Sequence, residues 1–219
     1  MYVLIMETKL ANKDNRALNA IRKINKIRHD QAKQIDILCN DMVSAHRDFI
    51  EQLNTLTFAV NFYESICGKK DMVMLLNSSA DQIKDVVPDS NVSIFLTDPN
   101  TKSYKLHMTD DDPIEVDSDR LESFFDEEVV NSVSRSNKIC SLNDMTNMGL
   151  QGNPLVFSNT SAAAIPFGRF TESLGFILIW RPIEQKLTPC EIEKVISIKS
   201  GLRNAIISCR EKAKLGETG

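Results

Sequence analysis

Cysteine is the residue of this chain that could carry the widest range of chemistry. Five are present, scattered along the sequence as Cys39, Cys67, Cys140, Cys190 and Cys209. Their number is odd and no two form a CxxC pair, which argues against a disulfide framework and against a zinc site. Free cysteines that do no chemistry usually pack as small apolar side chains. We therefore expect most of these thiols to be buried or half-buried packing residues.

Histidines and carboxylates are the other candidates for metal or acid–base chemistry. The three histidines, His29, His46 and His107, show no HxxxH or HExxH spacing, so no metal site is expected from them. Six acidic residues cluster within positions 110–119. An EF-hand loop that started at Asp110 would need Gly at its sixth position and Glu at its twelfth, but Glu115 and Leu121 stand there. This cluster is interpreted as a solvated loop.

Composition and charge limit the classes of partner. The chain has 219 residues, 42% of them hydrophobic and 26% charged, with a net charge of -4. A mildly acidic protein is poorly suited to bind nucleic acid or an anionic membrane through bulk charge. No run approaches the roughly 18 apolar residues of a membrane span. The first residues, MYVLIMETK, lack the basic start and cleavage site of a signal peptide, so a cytoplasmic location is expected.

The first quarter of the chain is predicted to form one long helix. No glycine precedes Gly68 and no proline precedes Pro88, and these are the two residues that most disrupt helices. A heptad with Ile21 at position a places apolar residues at eight of eleven a and d positions between residues 21 and 56. A helix over residues 13–66 would be about 80 Å long, so we expect it to pair with a second copy.

Seven residues of this heptad are predicted to line the dimer interface: Ile21, Ile24, Ile35, Leu38, Met42, Phe49 and Leu56. Arg28, Gln31 and Gln52 are polar seam positions, which cost stability but help to fix register and partner number. Apolar residues also lie outside the seam. A helical bundle, or a helical hairpin folded onto the chain's own globular part, therefore stays open as an alternative to a coiled coil.

Beyond Gly68 the pattern changes to short mixed elements. Apolar spacing predicts helices over 71–87, from Ser118 onward and after Thr188, where Thr188-Pro189-Cys190-Glu191 forms a capping box. Strands are predicted at 92–98, 103–108, 138–144, 161–168 and 174–180, the first two as an antiparallel hairpin and the last as a central strand. Residues 145–161 contain two glycines, a proline and several asparagines, and are predicted to be a functional loop.

These elements predict an α+β fold with a mostly antiparallel sheet of five to six strands flanked by helices. Residues 1–55 are assigned to a helical dimerisation segment, residues 56–213 to the globular domain and residues 214–219 to a polar tail.

Three local patterns together point to a known family. In the first, SIFLTD runs through a turn into YKLHM. The second, VVNSVSRSNKICSLND, is a helix followed by a short strand. The third, SAAAIPFGRFTESLGFILIWR, is a strand ending in proline, a hairpin and a Leu-Gly apolar strand, followed by the capped helix. These patterns resemble the GAF domain, a small-molecule sensing module of many bacterial signalling proteins with a PAS-like sheet. The resemblance covers about residues 56–211 and implies a sensory fold preceded by a dimeric signalling helix.

Known specialisations of the family are not matched. No Asn-Lys-Phe-Asp-Glu type motif of cyclic-nucleotide-binding members is present, and no histidine adjoins Cys140 as in bilin-binding members. Methionine sulfoxide reductases of this fold keep several cysteines around the pocket. Here Cys140 stands alone between residues 133 and 161, and a lone thiol has no resolving partner for its sulfenic acid.

The sequence thus favours a non-enzymatic regulatory sensor. The ligand, of unknown identity, is expected between the outer sheet face and the 145–161 loop, where the candidate wall residues are Phe95, Phe125, Cys140, Phe157 and Ala163. Ligand binding would shift how the long helices of a homodimer pair. No output domain follows, so a downstream signalling protein or a longer parent chain is expected to supply the output. The alternatives are a ligand-free scaffold that acts through the coiled coil and, third, a reductase.

Overall fold

The computed structural model describes residues 2–98, 103–108, 121–136, 138–168 and 174–216. The acidic cluster at 110–119, the beginning of the helix predicted from Ser118, and residues 217–219 of the predicted polar tail lie outside the described residues. The chain divides into two compact units, Met1–Asn54 and Thr55–Gly219.

Helix α1 spans Tyr2–Ile66. Its residues up to Asn54 form the first unit, and its last three turns belong to the second unit. The long N-terminal helix predicted from the absence of glycine and proline is confirmed. It ends just before Gly68, whose φ of 79° is a conformation that glycine adopts without steric cost.

The second unit is built on a five-stranded antiparallel sheet, as predicted for the α+β class. Its strands are β1 (Asn91–Thr97), β2 (Tyr104–Met108), β3 (Cys140–Ser141), β4 (Thr160–Pro166) and β5 (Gly175–Pro182). They are ordered β2-β1-β5-β4-β3. The apolar strand β5 is central, as its continuous hydrophobicity predicts, because both of its faces are covered.

Helices cover both faces of this sheet. They are α2 (Met72–Val86), α3 (Glu127–Arg135), α4 (Leu142–Asn147), α5 (Pro154–Ser158) and α6 (Pro189–Gly216), together with 3-10 turns at Leu121–Phe124 and Ile183–Gln185. Because side chains alternate along a strand, Ile177 and Ile179 of β5 join one core while Phe176 and Leu178 join the other.

The two cores have different coverings. The first, called the long-helix face, packs the sheet against α2, α6 and residues of the last three turns of α1, among them Phe58 and Phe62. The second, called the short-helix face, packs the sheet against the Leu121–Phe124 turn and the segment from α3 to α5. One face is therefore closed by long regular helices, and the other by several short ones.

Three predicted elements differ from the structure. The helix predicted from Ser118 is interrupted because the Asp126 side chain caps a new helix by accepting a hydrogen bond from the Val129 N–H. The strand predicted at 138–144 is only two residues long because Ser141 and Asp144 form a capping box that starts α4. The predicted 145–161 loop holds the end of α4, helix α5 and the start of β4.

The end of the chain also differs from the expected tail. Helix α6 begins with the predicted capping box, in which Thr188 and Glu191 exchange hydrogen bonds. It then continues to Gly216, so residues 214–216 are helical.

Candidate functional site

The short-helix face of the sheet carries the candidate site, because two openings between short elements lie there among the described residues. One, called the α4–α5 groove, has a volume of about 550 Å³. The other, called the β2–α3 cavity, has a volume of about 240 Å³. Small-molecule sites in proteins typically occupy about 300–1,000 Å³, so the α4–α5 groove falls within this range and the β2–α3 cavity lies slightly below it.

The α4–α5 groove is formed by residues that turn the chain between helices. It is lined by Leu142, Asn143, Thr146, Leu150, Gln151, Gly152, Pro154, Phe157 and Ser158. None of these side chains is charged, and apolar and hydrogen-bonding groups are mixed. The groove is therefore chemically suited to an uncharged molecule with an apolar body and polar edges.

Two helix caps fix the walls of this groove. In the capping box of α4, the Asp144 carboxylate accepts hydrogen bonds from the backbone and hydroxyl of Ser141, at 2.9 and 2.7 Å. These hydrogen bonds hold the pKa of Asp144 below its usual value. The Asn153 side chain caps α5 by accepting a hydrogen bond from the Leu155 N–H at 3.0 Å, and Pro154 occupies the first turn.

Gly152 sets the floor between these helices. A Cβ at this position would lie 2.6 Å from the Phe124 ring and 2.9 Å from the Phe157 ring. Those two rings pack edge to face, with centroids 5.6 Å apart. Any larger residue at 152 would have to displace one of them, so the shape of the groove depends on this glycine.

The β2–α3 cavity has a different chemistry, because carboxylates and aromatic rings line it together. Its lining residues are Phe95, Ser103, Tyr104, Leu106, Glu122, Phe125, Asp126, Glu127 and Val130. Glu122 is only 4% exposed. Its Oε1 accepts hydrogen bonds from the Ser93 hydroxyl at 2.5 Å and from the Trp180 indole N–H at 2.7 Å.

Three phenylalanines fill the layer beneath this cavity. Phe95 stacks on Phe176 with centroids 4.6 Å apart, and Phe125 lies 5.3 Å from Phe95 and 5.8 Å from Phe176. These contacts mean that part of the space next to the sheet is occupied by the protein's own side chains.

The five predicted wall residues do not form one wall. Phe95 and Phe125 line the β2–α3 cavity, and Phe157 lines the α4–α5 groove. Cys140 is fully buried in the core of the short-helix face. Ala163 is buried on the long-helix face. In β4, Ala162 and Ala164 belong to the core of the short-helix face, whereas Ile165, two residues after Ala163, belongs to the core of the long-helix face. Because side chains alternate, Ala163 shares the side of Ile165.

Several lining residues were not identified from sequence. Glu122 lies in an acid-rich stretch that gives no hint of burial, and α4 was assigned partly to a strand. One signal in the sequence could have indicated a buried hydrogen-bond acceptor such as Glu122. It is Trp180, the only tryptophan of the chain, because a buried indole N–H usually finds an acceptor.

The cysteines do not gather around either opening. Burial raises the pKa of the Cys140 thiol, and the nearby Asp144 carboxylate acts in the same direction. A raised pKa lowers the fraction of reactive thiolate. Cys209 is buried in the core of the long-helix face, Cys190 is half-buried, and Cys39 and Cys67 are exposed.

The histidines and the long helices bear on metal binding and on membrane insertion. His29 and His46 are exposed on α1, and the side chain of His107 lies outside the described part. Across the described residues, no group of three or more His, Cys, Asp or Glu side chains is arranged to hold a metal ion. Of the helices described, none has a stretch of the length and hydrophobicity required to cross a bilayer.

The predicted dimer-interface residues all lie on α1 with exposed side chains. Ile21, Ile24, Ile35, Leu38, Met42, Phe49 and Leu56 are between 55% and 69% exposed. Other large apolar residues on α1, such as Ile27, Val43, Ile50 and Leu53, are also exposed. Contiguous apolar surface on this scale usually marks an interaction site.

Comparisons with known proteins place the fold. No family model and no curated protein matches the sequence. Among solved structures, the chain is similar to the GAF domain from Acinetobacter phosphoenolpyruvate-protein phosphotransferase, with a TM-score of 0.52 and 13% identity. The match covers 73% of this chain and 97% of that domain. The fold implied by the sequence resemblance is therefore confirmed: the protein contains a GAF-like domain.

Proposed function

We propose that this chain is a non-enzymatic regulatory module, in which a GAF-like domain binds a small molecule and helix α1 joins two copies. The observation that carries the proposal is the α4–α5 groove of about 550 Å³ on the short-helix face. Its walls are short capped helices, which can be rearranged at less cost than a closed layer of long helices. A downstream protein would receive the signal through the dimer.

The proposed mechanism is a shift between two arrangements of the short-helix face. A ligand that binds one arrangement more tightly than the other shifts the equilibrium toward that arrangement, and the size of the shift is set by the ratio of its two affinities. The core of the short-helix face shares β1, β4 and β5 with the core of the long-helix face, which contains the end of α1. Packed interiors transmit strain, so the sheet is the proposed route between ligand and helix.

Native mass spectrometry of the full chain, after incubation with a cell metabolite extract, tests this proposal. We expect a dimer that carries a small-molecule adduct. Thr146→Trp, which places a large ring on the wall of the groove, should weaken or abolish the adduct, whereas Asn147→Trp, at the neighbouring exposed position outside the lining, should retain it. An adduct that survives Thr146→Trp would place the ligand elsewhere, and absence of any adduct would favour the scaffold.

The scaffold is the second candidate, and the phenylalanine layer favours it. Phe95, Phe125 and Phe176 pack on one another against the sheet, in the same core as the fully buried Cys140 and Met145. In that case the domain would fold without a ligand and α1 alone would carry the function.

A thiol-dependent reductase is the least supported alternative. The buried position and raised pKa of Cys140 disfavour the thiolate that such a reaction needs. The alternative would be supported only if activity on free methionine sulfoxide were present and lost in Cys140→Ser. The cytoplasmic location expected from the N-terminal sequence stays a prediction.

A further inference from the structure

Charge is distributed unevenly along the exposed part of α1. Residues 18–33 contain five basic side chains and one acidic one, a net charge of +4. Residues 34–54 contain four acidic side chains and one basic one, a net charge of -3. All of these side chains are exposed. The helix therefore presents a basic half followed by an acidic half.

This asymmetry bears on how two copies can pair. In a parallel, in-register pair, the basic half of one helix would lie along the basic half of the other, and the acidic halves would likewise coincide. In an antiparallel pair, each basic half would lie along an acidic half. The basic residues of the first half occupy heptad positions a, b, c and f, so only Arg28 lies in the contact itself. The other charges act over longer distances, where salt weakens them.

The polar seam position Arg28 gives a second, independent argument. In a parallel pair, Arg28 at position a would face Arg28 of the second copy in the seam, where two like charges are costly. In an antiparallel pair, a residues face d residues. The register that brings Ile35 opposite Leu38 and Ile24 opposite Phe49 also brings Arg28 opposite Ala45.

Ala45 is a favourable neighbour for an arginine in this register. Its small side chain leaves room for the long arginine, and Asp41 and Asp48 lie four residues before and three residues after it, on the same side of the helix. A guanidinium that enters there can pair with either carboxylate. The same contact occurs twice in the dimer because the two copies are related by a two-fold axis.

We propose that two copies of this chain pair through α1 in antiparallel orientation, with Ile35 of each copy opposite Leu38 of the other near the centre of the contact. The inference rests on the dimer of the proposed function and adds its orientation. The surface comprises the exposed apolar residues of the first unit, from Ile21 to Leu53. Of the two orientations, the antiparallel one places Arg28 of each copy beside the carboxylates of Asp41 and Asp48 of the other.

Spin-label distance measurements on the full chain test the orientation. Labels would be attached to Arg22→Cys or Asp36→Cys, two exposed sites at the same heptad position. The background would carry Cys39→Ser, Cys67→Ser and Cys190→Ser, because these three thiols are exposed or half-buried. At about 1.5 Å per residue, the antiparallel register separates the two labels at position 22 by about 44 Å along the axis. The labels at position 36 would lie within about 20 Å of each other.

The outcomes separate the two proposals. A short distance at position 36 with a long one at position 22 supports antiparallel pairing. Short distances at both positions would overturn the orientation but leave the dimeric sensor intact. Absence of dipolar coupling at both positions would overturn the dimer itself. As an independent check, the dimer dissociation constant should rise between low and high salt, because salt screens the contacts of Arg28 with Asp41 and Asp48, whereas a parallel pair would tighten.

Discussion

Gly175, the first residue of β5, has a backbone conformation that other residues rarely adopt. Its φ is 139°, and a Cβ added there would lie 1.8 Å from the carbonyl oxygen of Phe95 on the neighbouring strand β1. That clash involves backbone, so no side-chain movement can relieve it. The glycine in the Leu-Gly pair of the sequence motif is therefore required by close approach of two central strands.

Gly175→Ala should lower the free energy of unfolding by about 2 kcal/mol or more, because it adds both strain and a strand-separating contact. Gly68→Ala is the matched control. It also has a positive φ but nothing within 4 Å, so it should cost only about 1 kcal/mol. Urea unfolding of the two variants gives the comparison, and equal losses would show that the contact with Phe95 is not decisive.

Glu191 joins a helix cap to a buried arginine. It accepts hydrogen bonds from Thr188 and from the Arg181 guanidinium, the latter at 2.8 Å. Arg181 also donates to the backbone carbonyls of Pro88, Gln185 and Lys186. Although burial acts to raise it, these hydrogen bonds leave the pKa of Glu191 below its usual value.

The lowered pKa predicts an acid-dependent loss of stability. A carboxyl whose pKa is lower in the folded state stabilises the fold above its unfolded pKa of about 4.3, and this contribution is lost as the pH falls through the folded value. Glu191→Gln should cost about 1–3 kcal/mol at pH 7. The difference between wild type and variant should shrink steadily below about pH 4, as measured by unfolding at several pH values. A difference independent of pH would contradict the assignment.

At the scale of elements, the contact between the end of α1 and α6 depends on Gly201. A Cβ there would lie 1.9 Å from the Tyr63 ring, and the Tyr63 hydroxyl donates a hydrogen bond to the Ser197 carbonyl at 3.0 Å. Glycine in a helix interior is otherwise unfavourable by about 1 kcal/mol relative to alanine. The close approach of the two helices explains its presence here.

A double-mutant cycle can separate these two effects. In the wild-type background Gly201→Ala should destabilise the fold, because the new methyl group displaces Tyr63 and breaks its hydrogen bond. In a Tyr63→Ala background the same substitution should stabilise it by about 1 kcal/mol, since only helix propensity remains. Thermal or urea unfolding of the four proteins measures the cycle. The same sign in both backgrounds would show that Tyr63 is not the constraint.

Elements with a strong local signal were predictable from the sequence. The long α1, the central strand β5 and the capped start of α6 follow from breaker spacing, continuous hydrophobicity and a capping box. The segment from α3 to α5 was predicted only in part: α3 lies within the helix expected from Ser118, whereas α4 and α5 were not expected. The three helices have five to nine residues and depend on single capping side chains, Asp126, Ser141 and Asn153. Periodicity needs several turns before it exceeds noise.

The candidate site was less predictable than the fold for the same reason. Phe95, Phe125 and Phe157 were predicted as site residues, and they do line the two openings. Large aromatic side chains next to a sheet tend to lie between the sheet and the helices that cover it. Ala163 could not be assigned to a face without the register of β4, since a shift of one residue reverses every side chain. The groove itself is formed by the short helices whose boundaries the sequence did not reveal.

At the scale of the whole molecule, the proposed sensor requires that ligand binding and dimerisation be linked. If a ligand changes the affinity between two copies, dimerisation must change the affinity for the ligand by the same factor, because coupling free energies are reciprocal. Allosteric couplings of this kind typically amount to about 5- to 150-fold. This reciprocity distinguishes a sensor from a scaffold that happens to bind a small molecule.

Leu38→Glu provides the monomer needed to measure this linkage. Leu38 is 66% exposed on α1 and lies at the centre of the proposed contact, so a charge there should separate the two copies without disturbing the second unit. Asn40→Glu, an exposed position two residues away on the opposite side of the helix, should leave the dimer intact.

Any adduct identified by mass spectrometry would then be titrated into both variants by calorimetry. We expect its affinity for the Leu38→Glu monomer to differ from that for the Asn40→Glu dimer by about fivefold or more. Equal affinities would show that the groove and α1 act independently, and the relay through the sheet would have to be abandoned.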